Sequence, residues 1–226
     1  MKYLVFDFET AGLDKDSANR FTPYTQDVAP LPRENYPMQL AAALVGDDET
    51  VYGEMSVLIR GVQRASPWVL EHCPDLGVER CNREGIDFMA ALEQMAGMVK
   101  GANSPCTLVA HNIKYDWFDV IVRTVHERGM EQHDSFGTLA SLPQWCTCIN
   151  VLTKYDRSAY FFSKIGQWIG PKLGTLAKKF EIDYDSAEAH DALYDVKVTT
   201  ACLWHQLQQL APSTARRASQ KKYAEY

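Results

Sequence analysis

Apolar residues along this chain fall into two rhythms. Tyr3-Leu4-Val5-Phe6 and Thr107-Leu108-Val109-Ala110 are short, nearly continuous runs, the pattern of strands covered on both faces. Gln39 to Gly46 and Val51 to Leu58 are two further strand-like runs, joined by Gly46-Asp47-Asp48-Glu49-Thr50; that polar, turn-forming link predicts a β-hairpin. Elsewhere the spacing is helical. Glu84 to Lys100 places Phe88, Met89, Leu92, Met95 and Val99 inward, and Tyr115 to Arg128 does so with Phe118, Ile121, Val122 and Val125. Leu173 to Phe180 gathers Leu173, Leu176, Ala177 and Phe180 on one face. From about Asp191 to Leu210 a long helix is predicted, with Ala192, Val196, Thr199, Leu203, Leu207 and Leu210 close to a 3.6-residue period. Strands first, then helices alternating with further strands, predict an α/β fold.

The chemistry sits at the ends of these elements. Side chains alternate along a strand, so Asp7 and Glu9 project to one face of the first run while Phe8 points to the other. Two carboxylates side by side at a strand end can share one hard divalent cation, although an Asp-x-Glu triplet also arises by chance in so acidic a chain. Thr10-Ala11-Gly12-Leu13 follows, and Gly12 permits a turn with backbone amides exposed. Asp116 falls in the first turn of the helix after the second strand, where the helix dipole alone would favour it. His111 and Asn112 before it are open to reading as loop polar groups. Asp195 lies in the first turns of the long helix, and His190 stands five positions earlier. On a continuous helix that spacing would separate the two side chains around the axis. His190 is therefore predicted on the loop entering the helix, as the one group in the set able to move a proton near neutral pH.

DFET, HNIKYD and HDALYD together resemble the three motifs of the DEDDh (DnaQ-like) 3′–5′ exonucleases, a family that includes the proofreading epsilon subunit of bacterial DNA polymerase III, ribonuclease T and oligoribonuclease. The resemblance runs from Met1 to about Leu210. In the family's tyrosine branch a Tyr stands four residues before the last Asp, where this chain has Asp191; the histidine branch needs His at minus five, which His190 supplies. Three departures bear on substrate preference. Ala11 stands where many members have a second Thr, about twenty extra residues (about Asp14 to Pro37) follow the first strand, and the usual mid-chain HGI-type segment is not recognisable around Pro67 to Arg83.

The resemblance implies a ribonuclease H-like fold, a central mixed sheet flanked by helices, and two divalent cations, Mg²⁺ or Mn²⁺. Asp7 would bridge both ions, Glu9 and Asp195 would complete the water-activating site, Asp116 would hold the second ion, and His190 would take the proton from water. Two cations about 3.5–4 Å apart serve phosphodiester hydrolysis because one activates water and the other neutralises the leaving oxygen, and oxygen-only ligands suit hard ions. Without metal, two carboxylates 4 Å apart repel by roughly 4 kcal/mol at an effective dielectric near 20. Ligands must be deprotonated, so activity is expected to fail at acid pH. Contacts to the terminal nucleotide are expected at Thr10, Ala11, Gly12, Leu13, His111, Asn112 and Tyr115. The expected activity is 3′–5′ hydrolysis of DNA, single-stranded by preference, to nucleoside monophosphates. An exoribonuclease of the same chemistry and a catalytically silent nucleic-acid-binding module stand as alternatives.

Composition refines this reading. At 226 residues and 46% hydrophobic content the chain fits one exonuclease domain, residues 1–210, with a basic tail over 211–226 that is expected to be mobile. The net charge of −6 is unusual for a partner with a free 3′ end of nucleic acid, but Lys154 to Lys179 carries six basic residues against one acid, Asp156. Tyr155, Tyr160, Phe161, Phe162 and Trp168 interleave with them, which suits either a single-strand platform or packing beneath the third motif. The 14–37 insertion, with Arg20, Phe21, Tyr24 and Arg33, is open to reading as a lid or as an inert surface loop. Six scattered cysteines, of which only Cys146-x-Cys148 is a close pair, predict a reducing cytoplasm, that pair on a strand, and no zinc site. No signal peptide or membrane span is expected. A partner-binding extension of the kind that tethers proofreaders to polymerases is not evident, which favours a stand-alone enzyme.

Overall fold

A five-stranded sheet in the order β3-β2-β1-β4-β5 organises the molecule. The computed structural model describes residues 1–12, 36–150, 161–162 and 168–210. The 13–35 part of the insertion, the 211–226 tail and most of the 154–168 basic-aromatic stretch lie outside the described residues. The strands are β1 (Lys2–Thr10), β2 (Pro37–Gly46), β3 (Val51–Leu58), β4 (Cys106–Ala110) and β5 (Gln144–Cys146). β1 pairs antiparallel with β2 and parallel with β4, β2 pairs antiparallel with β3, and β4 pairs parallel with β5. The fold is thus α/β with a mixed sheet flanked by helices, as expected from the sequence. A separate two-stranded ribbon joins β6 (Phe161–Phe162) to β7 (Trp168–Ile169).

Alternation along β1 sorts the core into two layers. Leu4, Phe6 and Phe8 pack with α3 (Phe88–Lys100) and with Trp117, Val120 and Ile121. Tyr3 and Val5 pack with Ala192, Val196 and Leu203 of α8 (Ala192–Leu210). Asp7 and Glu9 share the parity of Tyr3 and Val5, so they continue the face that α8 covers. The remaining helices are α1 (Pro67–His72), α2 (Val78–Glu84), α4 (Arg123–Glu127), α5 (Asp134–Ala140), α6 (Thr147–Asn150) and α7 (Leu173–Lys179). Ser66 caps α1 and Pro67 opens it, a favourable first position for a residue without an N–H.

Three expectations need correction. The segment expected as one helix over Glu84–Lys100 is two elements: α2 ends at Glu84, Gly85 and Ile86 run extended, and Asp87 caps α3 by accepting the Met89 N–H at 2.8 Å. The segment after β4 is a π-helix over Tyr115–Val122 that runs into α4; the Arg123 amide donates to Phe118 O five residues back. Wider winding shifts the buried face, so Trp117, Val120 and Ile121 are buried while Phe118, expected inside, is 53% exposed. Cys146 does end a strand, but Cys148 lies in α6. All six cysteines are free thiols. No helix among the described residues is long and apolar enough to cross a membrane.

Candidate metal centre and its surroundings

The carboxyl ends of β1 and β4 open on one side of the sheet, where crevices between elements ordinarily form in open α/β folds. β1 delivers Asp7 and Glu9 there, and directly after Glu9 the register shifts, with Met38 of β2 as the extra residue, a device that re-aims side chains beside sites. Asp116 enters from the first turn of the π-helix and is 3% exposed. Asp195 enters from the first turn of α8. His190 precedes that helix in a left-handed conformation, φ 70°, on the loop where the sequence places it. A ring nitrogen of His190 and carboxylate oxygens of Glu9 and Asp195 all lie within 4.8 Å of one another.

Burial and repulsion from nearby negative charge raise all four carboxyl groups. Burial pushes Asp7 well above the ordinary carboxylate value, and the charges of Asp116, Glu9, Asp195 and Asp191 push it further, in that order. Burial and the charges of Asp195, Asp116 and Asp191 lift Glu9 to about 8. Asp116 is lifted to about 8 by burial, against backbone amides of Phe8 and Asp116, with Cys146 and Asp119 adding to the rise. Burial raises Asp195 to about 6. Asp195 Oδ1 is also buried, with no hydrogen-bond partner among the described residues. Orphaned anionic oxygen and mutually raised acids mark a site short of positive charge, and oxygen donors of this kind fit a hard divalent cation.

The other residues named from sequence have varied settings. Thr10 Oγ donates to Gly12 O at 3.1 Å, so the 2.8 Å contact with Tyr115 is the tyrosine hydroxyl donating to Thr10. Ala11 is 1% exposed, and its amide donates to Tyr36 O at 2.8 Å, so this amide is not open to a ligand as expected. Leu13 lies outside the described residues. Asn112 is exposed in a left-handed turn, φ 65°, a conformation Asn tolerates. His111 is held inside: Nε2 donates to Pro171 O at 2.9 Å, which leaves Nδ1 to accept from Thr147 Oγ at 3.0 Å. Burial drives this imidazole down to about 4.

Sequence reasoning missed two groups. Trp68, in α1, meets the His190 ring edge to face at 4.9 Å between centroids and stacks on His72 at 4.4 Å. Burial first, then the nearby His72 and Lys172 charges, lowers the His190 pKa. Gln39 is the second group: the one polar side chain in a β2 run of apolar residues, 6% exposed and cross-strand partner of Glu9. A polar residue isolated in a doubly covered strand was the available signal.

No family model matches the chain, and no curated protein matches it. Solved structures do. E. coli Exonuclease I in complex with a dT13 oligonucleotide is 16% identical, with 90% of this chain and 40% of that chain covered at a TM-score of 0.59. E. coli Exonuclease I in a zinc-bound complex with single-stranded DNA is 16% identical, covering 90% and 39% at 0.59. An ExoI/SSB-Ct complex is 15% identical, covering 90% and 40% at 0.58. The chain therefore spans about 40% of the length of these proteins. At such identity the likeness is one of fold.

Proposed function

We propose that this chain is a metal-dependent 3′–5′ exonuclease that removes nucleoside monophosphates from single-stranded DNA, with residues 1–210 forming the catalytic domain. The observation that carries the reading is the convergence of Asp7, Glu9, Asp116 and Asp195 beside His190 at the end of β1. The fold shared with Exonuclease I, solved with single-stranded oligonucleotides, supports it.

Two divalent cations, Mg²⁺ or Mn²⁺, held by the four carboxylates would supply the Lewis acid that makes hydroxide available and neutralises the leaving 3′ oxygen. Asp7, half-buried among the other three acids, is the natural shared ligand. Glu9 and Asp195 flank it on the His190 side, and Asp116 lies on the π-helix side. His190 accepts the proton of the attacking water, and its exposed position lets it pass that proton to solvent. Tyr115 steadies the turn after β1 through Thr10.

Incubation of the protein with single-stranded DNA labelled at its 5′ end, plus Mg²⁺ or Mn²⁺, tests the reading. A ladder shortening one nucleotide at a time is expected, abolished by Asp7→Asn with the fold intact by circular dichroism. Matched RNA in parallel tests the sugar preference. Substrate left whole by the wild-type protein in both metals overturns the reading.

A further inference from the structure

Gln39 contributes no atom to the acid cluster, yet every polar atom of its carboxamide points at an element that does. The Ala192 amide can only donate, so the atom facing it at 3.2 Å is Gln39 Oε1. Nε2 is thereby turned toward Asp191 Oδ2 at 3.2 Å and Ser56 Oγ at 3.2 Å. Asp191 Oδ1 in turn accepts the Tyr194 amide at 2.9 Å and caps α8. Both oxygens of Asp191 are thus occupied by amide donors. One buried, planar group on β2 therefore grips the first residue of α8 and the residue before it.

The location gives that grip its consequence. Gln39 is paired in register with Glu9 across β1 and β2, and directly opposed residues put their side chains on one face. His190 precedes Asp191 in sequence, and the Asp195 amide donates to Asp191 O at 2.9 Å in the first turn of α8. Any slip of this turn moves His190 and Asp195 together against Glu9, with which they share a 4.8 Å cluster. Displacements of about 1 Å can cost on the order of 10²-fold in rate.

We propose that Gln39 is a positioning residue, which sets the spacing between the strand acids Asp7 and Glu9 and the His190–Asp195 turn through its hydrogen bonds to Asp191 and Ala192. The inference rests on the exonuclease reading for its kinetic consequence. Its geometric content is separate, because ligand spacing also governs cation binding.

The test exchanges the two partners. Gln39→Glu keeps shape and the acceptor for Ala192 but sets carboxylate against carboxylate at Asp191. Gln39→Glu combined with Asp191→Asn restores one donor and one acceptor with the polarity reversed and the net charge unchanged. Two readouts are taken: kcat and KM on single-stranded DNA, and the rise in melting temperature produced by Mn²⁺. Gln39→Glu is expected to lower kcat about 10–100-fold, with KM changed less than about threefold, and to shrink the Mn²⁺-induced rise. The exchanged pair is expected to recover both. If Gln39→Glu does not fold, Gln39→Leu, uncharged and of similar volume, is compared with wild type for the same losses. Unchanged kcat and Mn²⁺ response in the single variant, or no recovery in the pair, overturns the inference while wild-type cleavage still stands. Loss and recovery of the Mn²⁺ response in a wild-type background that cuts nothing would sink the exonuclease reading and leave the positioning role intact.

Discussion

Two seven-residue segments of this chain share four identities, and the structure uses them differently. Residues 110–116 read Ala-His-Asn-Ile-Lys-Tyr-Asp and residues 189–195 read Ala-His-Asp-Ala-Leu-Tyr-Asp. In each, a histidine is followed five residues on by an acid that joins the cluster. In the first, the left-handed residue is Asn112; in the second it is His190 itself. That one-residue offset leaves His111 continuing the line of β4 into the interior, where Thr147 and Pro171 occupy both its nitrogens. It swings His190 out to meet Glu9, Asp195 and Trp68. Identical residues at identical spacing thus become a strut in one place and a candidate proton acceptor in the other. Backbone conformation decides which.

The sharpest way to break this contrast is to remove each imidazole. His190→Ala is expected to slow turnover about 10²–10⁴-fold, the scale of a lost general base, with the melting temperature nearly unchanged. His111→Ala should do the reverse. It leaves a buried hydroxyl and carbonyl unsatisfied, at about 1–3 kcal/mol each, so the melting temperature should fall by about 4 °C or more, at about 2–4 °C per kcal/mol for a domain this size. Turnover per folded molecule should change little. Melting curves and single-turnover rates on both variants check this, and a His111→Ala rate loss as large as that of His190→Ala would erase the distinction.

Much of this was legible beforehand. The strand-end acids, the hairpin, the long last helix and the loop placement of His190 all follow from alternation and periodicity. Three features were not. The π-helix was hidden because its residues also satisfy an α period, and only the i−5 hydrogen bond from Arg123 to Phe118 reveals that Trp117 replaces Phe118 inside. The late start of the helix was not read although every inward residue, from Phe88 to Val99, lies beyond Gly85–Asp87 and Asp87 as a helix cap was readable. The roles of His111 and Gln39 depend on partners 17 to 153 residues away, which no local pattern encodes.

The two acids delivered by these segments differ as well, and pH separates them. A carboxyl group whose pKa is raised in the folded state binds protons more tightly folded than unfolded. Its stabilising contribution is complete below the unfolded value near 4 and is lost as pH rises through the folded value. For Asp116 that window extends to about 8, for Asp195 only to about 6. Metal-free protein should therefore melt at progressively lower temperature as pH rises from 5 to 8. Asp116→Asn should relieve more of that decline than Asp195→Asn, with its advantage over wild type greatest at pH 8. Saturating Mg²⁺ should flatten the wild-type profile by supplying the missing charge. Equal gains from the two variants, or a metal-free profile with no decline, would show that the acids are not held as the structure places them.

The smallest expected difference lies in the two tyrosines. Tyr115 donates to Thr10 Oγ, which is itself committed to Gly12 O, so the hydroxyl ties the π-helix to the turn directly after Glu9. Tyr194 accepts the Asp185 amide at 2.6 Å in the connector before α8, on an exposed surface away from that turn. A neutral hydrogen bond of this kind contributes about 0.5–1.5 kcal/mol, which translates to roughly 2–10-fold if all of it is felt by the reaction. Tyr115→Phe is expected to lower kcat/KM within that range, because the freed turn blurs the positions of Asp7 and Glu9. Tyr194→Phe should move kcat/KM by less than twofold, since α8 remains held by Asp191 and Gln39. Steady-state kinetics on both would decide it. Equal losses would mean that the connector before α8, rather than the bond to Gln39, fixes the His190–Asp195 turn.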